Sequence, residues 1–436
     1  MPARTKFQTT QGMEELSSHS GLAILGNILE ACEYKKHVNR VHLPSRPNPE
    51  LKHSDILSVM IALIFIGKPY YDAVRFFYDD VLLRTSLGLP RVPSAESLRN
   101  RLDLADNRFD NVIRELSASV IHEFGQPTAC SRGHMPLDID VTPFDNSDSH
   151  KEGVSRTYKN YDGYAPIMAY LGTEGYLINT ELREGKTHSQ HDFPRFLADS
   201  IRLSRQVTYA RLLVRMDSAH DALDNIKVCI AKKVDYLIKR NLRQESPQDW
   251  LEIAKQSGAC KQPREGKTVW TGSVIKERDG LKLRQVFEVI ERTVDRHGQL
   301  LMMPMLAVNV WWTSLTCEEN DVIQLYHDHG TSEQFHSEIK SDLGFERLPS
   351  GKFATNNLLL LLAMFAYNAL RVIGQRSLLV ASPYRREAQR RRIRSVLHDI
   401  IYVACRVVSH ARGWFLSFGR NERRYPVLAE LHAFFT

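Results

Sequence analysis

Apolar residues recur at intervals of three and four through the first part of the chain, in GLAILGNILEACEYKKHV and HSDILSVMIALIFIGKPYYDAVRFFYDDVLL. That spacing gathers them on one face of an α-helix. A further helix is predicted after Pro93 and Ser94, which stand where a helix start belongs, ahead of a stripe through Leu98 and Leu102. Residues 1–133 are therefore expected to be all helical. The period changes at MPLDIDVTPFD, where Leu137, Ile139 and Val141 alternate with Asp138, Asp140 and Thr142. This is a strand with one polar face. Strands in GYAPIMAYLG and GYLINTELREG follow, then a helix (DFPRFLADSIRLSRQV), an apolar strand ending on Asp217 (YARLLVRMDSAH), a helix (ALDNIKVCIAKK) and a strand (VDYLIKRN). The order β-β-β-α-β-α-β is mixed α/β, with several strands before the first crossover.

Residues 242–305 read as a β-rich insertion of successive short strands joined by turn-prone pairs such as Asp279-Gly280 and His297-Gly298. The chain returns to the main sheet in MLAVNVWWTSL, Met305 to Leu315, which leads into a second part of the core over residues 306–351, and residues 352–436 are expected to be helical again. The most apolar runs, Ile56 to Ile66 and Leu358 to Leu370, are shorter than the roughly 20 residues that span a bilayer. They are expected to be buried helices.

Composition narrows the function only a little. A net charge of +7 with pI near 9.0 over 436 residues suits a polyanionic partner. The run Arg385 to Arg394, which includes Arg391 and Arg392, is its densest cationic stretch. Arg91, Arg99 and Arg101 form a second cluster, open to reading as a solvated helix face or as part of a helix–turn–helix on DNA. The six cysteines lie far apart with no C-x-x-C pair, against a zinc ribbon or a disulfide framework and in keeping with a reducing compartment. The polar N-terminus lacks the apolar core of a secretory signal, so the expected location is the cytoplasm.

Three carboxylates stand out. Asp140 lies on the polar face of a strand. Asp217 ends an apolar strand, the end at which open α/β sheets build sites. Glu333 lies in YHDHGTSEQFHSEIK. Each also has an ordinary explanation: a solvent-facing strand residue, an N-cap and a surface helix glutamate. If that stretch is helical, Tyr326, His329, Glu333 and Lys340 fall within an arc of roughly 60° at about 100° per residue, while Glu338 points some 140° away from Glu333. Gly330 allows instead a helix beginning at Thr331 or Ser332. His327, His329 and His336 lack a cysteine or further carboxylate at ligand spacing, which argues against zinc. Three carboxylates from two strands and a late helix could hold two Mg²⁺ about 3.5–4 Å apart, with Mn²⁺ able to substitute, for in-line attack on a phosphodiester.

With these residues assembled, the chain resembles bacterial insertion-sequence transposases of the DDE type. Tyr326, Glu333 and Lys340 match the Y-x₂-R-x₃-E-x₆-K pattern in order and spacing. LDIDVT is similar to the first-acid strand and points to Asp140; LLVRMDSAH is similar to the second and points to Asp217. The phrasing is most similar to the thirteen-eighty group. The resemblance implies an RNase H-like mixed-sheet core with a β-rich insertion, flanked by an all-α N-terminal region for DNA binding or dimerisation and by basic C-terminal helices. It implies that Asp140 bridges both metals while Asp217 and Glu333 hold one each. It further implies cleavage of terminal inverted repeats, joining of 3′-hydroxyls to target DNA, and at least a dimer in the synaptic complex. Tyr326, His329, Lys340, Arg391 and Arg392 become candidate DNA contacts. Trp312, or its neighbour Trp311, is the candidate for stacking on a flipped base, although buried strand tryptophans are commoner. The family arginine is His329 here, and an imidazole cannot make the bidentate phosphate contact of a guanidinium. A silent DNA-binding derivative and a nuclease that cuts without joining are the competing expectations.

Overall fold

The computed structural model describes residues 7–43, 49–295, 297–380, 388–411 and 413–436; the side chains of His329, Thr331 and Ser332 fall outside that description. The N-terminal helices include α1 (Gly21–Ala31), α2 (His53–Phe65), α3 (Ala95–Asp103) and α4 (Asp110–Phe124). Ser94 caps α3 by accepting from the Ser97 amide at 3.1 Å, at the predicted helix start. Twelve of the thirteen α2 residues are buried. A helix apolar all round needs cover on every side, and α2 finds part of it against the later core helix.

The central sheet begins with β1 (Met135–Val141), β2 (Ile167–Leu171) and β3 (Tyr176–Glu181), an antiparallel meander. Helix α5 (Phe193–Val207) leads to β4 (Leu212–Met216), and α6 (Leu223–Ala231) to β5 (Asp235–Lys239). β4 runs parallel to both β1 and β5. The spatial order β3-β2-β1-β4-β5 is that of an RNase H-like core, as the family resemblance implies.

The insertion departs from expectation in two ways. It opens with a helix, α7 (Pro247–Ser257), and its strands are long. β6 (Ala259–Arg264), β7 (Lys267–Arg278), β8 (Leu281–Val294) and β9 (Leu300–Thr313) extend the core sheet to nine strands, β9 pairing with β5 at Trp311–Thr313. The Asp279-Gly280 turn forms as predicted, both residues having positive φ (47° and 73°), as a type I′ hairpin needs.

The third-acid segment starts with α8 (Glu319–His327). It continues through a 3₁₀ turn (Asp328–Thr331) and α9 (Ser332–Ser337) into a π turn (Glu338–Asp342). The core helix α10 (Phe353–Leu379) is 94% buried over its most apolar window and packs on α2, α4 and β3. It is long and apolar enough to cross a membrane, but here it is the centre of the protein. It also covers the outer edge of the sheet: Asn368 accepts from the Leu177 amide (2.9 Å) and donates to the Leu177 carbonyl (2.7 Å). Unpaired strand-edge groups buried without such partners would be costly.

The C-terminal part is not all helical. Cys405–His410 (β10) and Gly413–Phe418 (β11) form a hairpin, and β10 pairs with Leu16–Ser17. Helix α11 (Tyr425–Phe435) closes the chain. One hydrophobic core runs from Leu22 to Phe435, so the terminal helices and the central sheet share a single interior.

Candidate active site

The register of β1 and β4 brings two aspartates to one place. Asp138 pairs with Arg215 and Ile139 with Met216; one residue further on are Asp140 and Asp217, at the carboxyl ends of adjacent parallel strands. The inner pair is a buried salt bridge. Arg215 donates from Nε and Nη2 to the two oxygens of Asp138 at 2.6 and 2.7 Å, both residues being 2% exposed. Its Nη1 donates to the Leu325 carbonyl at 2.7 Å and so ties α8 to the sheet. Asp138 is thus a foundation, and Asp140 is the carboxylate that opens outward. Asp140 Oδ1 accepts from the Val141 amide at 2.7 Å, and Asp217 caps the next turn through the Ala219 amide at 3.0 Å.

Asp140 and Asp217 line one cleft of about 690 Å³, with Tyr158, Lys186, His188 and Arg243 on its walls. The ring of Tyr158 is exposed while its hydroxyl donates to the Val141 carbonyl at 3.3 Å. Loss of water, and then the charges of Asp140 and Asp217, push this phenol up to about 12.

The third-acid segment lies across these strand ends. Tyr326 packs its ring 5.5 Å from that of Trp311. Burial, with the Asp217 and Asp140 charges beside it, raises its phenol above the ordinary range. Three residues after Glu333, His336 Nε2 lies 3.3 Å from Asp140 Oδ2. Lys340 donates to the Pro143 carbonyl and sits 5.5 Å from the Phe144 ring. Burial lowers its ammonium pKa. Phe335 fits against Gly175, where a Cβ would meet its ring at 2.4 Å. Only glycine permits that approach, and its φ of 74° favours glycine as well.

Glu333 is exposed and faces a separate groove of about 270 Å³ with Gln334, Ser337, Arg390 and Arg392. The changes of helical pitch mean that a constant 100° per residue does not carry Tyr326 and Glu333 onto one face. Among the described residues, no three His, Cys, Asp or Glu side chains meet as a metal-holding group. Asp140 and Asp217 together suit a hard divalent cation by donor type; the third carboxylate does not stand with them.

The profile of a family described as "Transposase DDE domain group 1" matches residues 4–435. The chain belongs to this DDE transposase family. A comparison with curated proteins gives no match. Among solved structures, the transposase is similar to a piggyBac transposase in a synaptic complex with hairpin DNA. The two share 12% identity and a TM-score of 0.41, over 82% of this chain and 77% of that one.

Two expected DNA contacts of this transposase are buried. Trp312 is 1% exposed; its Nε1 donates to Asp221 at 2.9 Å, and the guanidiniums of Arg240 and Arg278 lie 4.9 and 5.8 Å from its ring. A ring so covered is no platform for a base, and Trp311 is equally buried. Arg391 is 8% exposed and bonds Ser377 and Asp399 (3.0 and 2.7 Å). Arg392 is half exposed but bidentate to Asp342 at 2.8 and 3.0 Å. The part of the arginine run at 385–387 and the His329 side chain lie outside the described residues. The arginines around Ala95–Asp103 are also engaged: Arg91 with Glu50 (2.9 Å), Arg101 with the Leu51 carbonyl (3.2 Å), Arg99 over Tyr71 (5.4 Å).

Sequence reasoning passed over Arg215 and Tyr158, weighed His336 only as a zinc ligand, and set Glu338 aside as pointing away from Glu333. Arg215 had a signal, since R-x-D puts a cation two residues before a strand-end carboxylate on the same face. Glu338 is 1% exposed and accepts from Arg390 (2.7 Å), from the Ile393 amide (3.2 Å) and from the fully buried Arg371. It anchors the segment that carries Glu333.

Proposed function

We propose that this transposase acts on the terminal inverted repeats of a bacterial insertion sequence of the thirteen-eighty group, cutting at the element ends and joining the freed 3′-hydroxyls to target DNA. The observation that carries the reading is the side-by-side position of Asp140 and Asp217 at the carboxyl ends of adjacent parallel strands, in a chain matched by the family over nearly its whole length. Asp140 and Asp217 would hold Mg²⁺ or Mn²⁺; Glu333 is the candidate third acid by the Y-x₂-H-x₃-E-x₆-K spacing alone, since it faces the neighbouring groove. When bound, the metals supply Lewis acidity to a water or a 3′-hydroxyl. Lys186 and Arg243 on the cleft walls supply cations for backbone phosphates, which need such partners whatever the base sequence. Tyr326 offers a hydroxyl beside both aspartates, and Lys340 is committed to the loop after Asp140. Paired ends call for at least a dimer on DNA, working at the nucleoid in the cytoplasm.

The separate groove around Glu333 favours a second reading, a DNA-binding derivative without chemistry. The deciding experiment incubates the full chain with Mg²⁺ and a DNA fragment bearing the inverted repeats that flank its gene. Nicking at the repeat ends that is lost in Asp140→Asn supports the transposase. Binding without nicking by folded protein supports the silent derivative. Cutting with no joined product from a pre-cleaved end identifies a nuclease.

A further inference from the structure

The imidazole of His336 is held at both nitrogens. Its Nδ1 lies 3.1 Å from Tyr170 Oη, and its Nε2 lies 3.3 Å from Asp140 Oδ2. Tyr170 is fully buried and His336 is 6% exposed. The three residues come from different elements. Tyr170 is on β2, paired with Asp138 in register; Asp140 is on β1; His336 is on α9.

The direction of the bonds follows from donor and acceptor inventory. Tyr170 has one hydroxyl proton and two neighbours for it, the imidazole nitrogen and Met168 Sδ, each at 3.1 Å. A ring nitrogen is a much better acceptor than a thioether. The hydroxyl therefore donates to Nδ1, which leaves the ring proton on Nε2, where it donates to the Asp140 carboxylate. Asp140 is then gripped at both oxygens, Oδ1 by the Val141 amide and Oδ2 by His336, so the plane of the carboxylate is set before anything binds in the cleft.

We propose that His336 is a positioning residue for Asp140, locked as the Nε2–H tautomer by Tyr170. The role rests on the reading of Asp140 as a metal ligand. Ligating carboxylates are themselves oriented by hydrogen bonds, and losing such a partner typically costs 10–100-fold in metal affinity or activity. The same bond fixes where the helical turn bearing Glu333 rests against β1, because Glu333 precedes His336 by one turn.

The test uses full-length protein and the variants His336→Ala, His336→Gln and Tyr170→Phe. Glutamine places an amide N–H near where Nε2–H stood. Mn²⁺ affinity without DNA, cleavage of an end-bearing fragment over a range of Mg²⁺, and end-DNA binding are measured on each. Nitrogen-15 NMR of the labelled histidine ring reads the tautomer directly, the His336 signal being assigned by its loss in His336→Gln. The expected result is Mn²⁺ affinity and kcat lower by ~10–100-fold in His336→Ala, most of both restored in His336→Gln, unchanged end-DNA binding, and an Nε2–H ring that loses its fixed tautomer in Tyr170→Phe. An Nδ1–H ring in the wild type, or wild-type Mn²⁺ affinity and cleavage in His336→Ala, overturns the proposal. Absence of any cleavage by the wild type defeats the functional reading instead, and the ring tautomer and Mn²⁺ affinity still decide the role of His336. If His336→Ala does not fold, the glutamine and phenylalanine variants and the wild-type ring spectrum carry the decision.

Discussion

Replacing Glu338 by glutamine keeps the shape of the side chain and removes one charge, in a place where the chain has almost no water. Glu338 is 1% exposed and Arg371 is 0% exposed. Arg371 keeps bonds to the Arg391 carbonyl (2.8 Å) and the Tyr367 hydroxyl (2.7 Å), neither of which carries a compensating charge. Arg390, 18% exposed at its side chain, can turn toward solvent; Arg371 cannot. Breaking a buried ion pair at one partner costs about 3–5 kcal/mol. With 436 residues, an unfolding entropy of about 2.1 cal/mol/K per residue gives about 0.9 kcal/mol/K for the chain, so Glu338→Gln should lower Tm by about 3–5 °C. This is a larger effect than its position 140° away from Glu333 on an ideal helix would suggest. Scanning calorimetry measures it, with Glu338→Gln/Arg371→Met as a control. The double variant should melt above the single one, because removing the orphaned guanidinium removes the main cost. A Glu338→Gln protein melting with the wild type, or a double variant melting lower than the single one, would refute the argument.

Three further outcomes are expected. Asp138→Asn should lower Tm by stranding Arg215, whereas Asp140→Asn should leave Tm unchanged and abolish cleavage; a melt and a nicking assay on both separate the foundation from the reactive carboxylate. Trp312→Ala should act on stability, losing about 3–5 kcal/mol as buried aromatic truncations do. Wild-type stability with weakened end recognition would restore the stacking role. Burial, offset in part by Arg114 and the Asn357 amide, raises Asp110 to about 6 from 3.8. Folding then takes up a proton between those values, so this residue's contribution is most favourable below about 4 and is lost as pH rises through 6. Asp110→Asn should stabilise the protein at pH 8 by up to about 3 kcal/mol and much less at pH 4.5; a pH-independent effect on Tm would contradict this.

The core was legible because its signals are local. Alternation at 137–142 and the apolar runs ending at Asp217 and Lys239 gave the strands, and Asp279-Gly280 gave a tight hairpin where one formed. What escaped depends on partners distant in the chain. The arginine run read as a DNA-contacting stretch, yet Arg390, Arg392 and Arg394 find their acids in Glu338 and Asp342, on the segment that carries Glu333. Strand β10 pairs with Leu16 and Ser17 at the other end of the protein, which no local pattern announces. The juxtaposition of Asp140 and Asp217 was legible, since each stands near the end of a strand of the predicted sheet. The Glu333 segment was not, because 3₁₀ and π turns break the period on which a helical-face argument depends.

The long strand β9 has a practical consequence for anyone who would splice this protein. Its last three residues, Trp311 to Thr313, are hydrogen-bonded to Leu237, Ile238 and Lys239, while the rest runs outward with β8. At about 3.3 Å per residue its 14 residues reach roughly 45 Å. Excising 242–305 would cut β9 short at Leu306 and remove β8 from its outer side, so the remaining stub that pairs with β5 would become a raw apolar border prone to self-association. The insertion can be shortened at its outer tip, but it cannot be removed as a cassette.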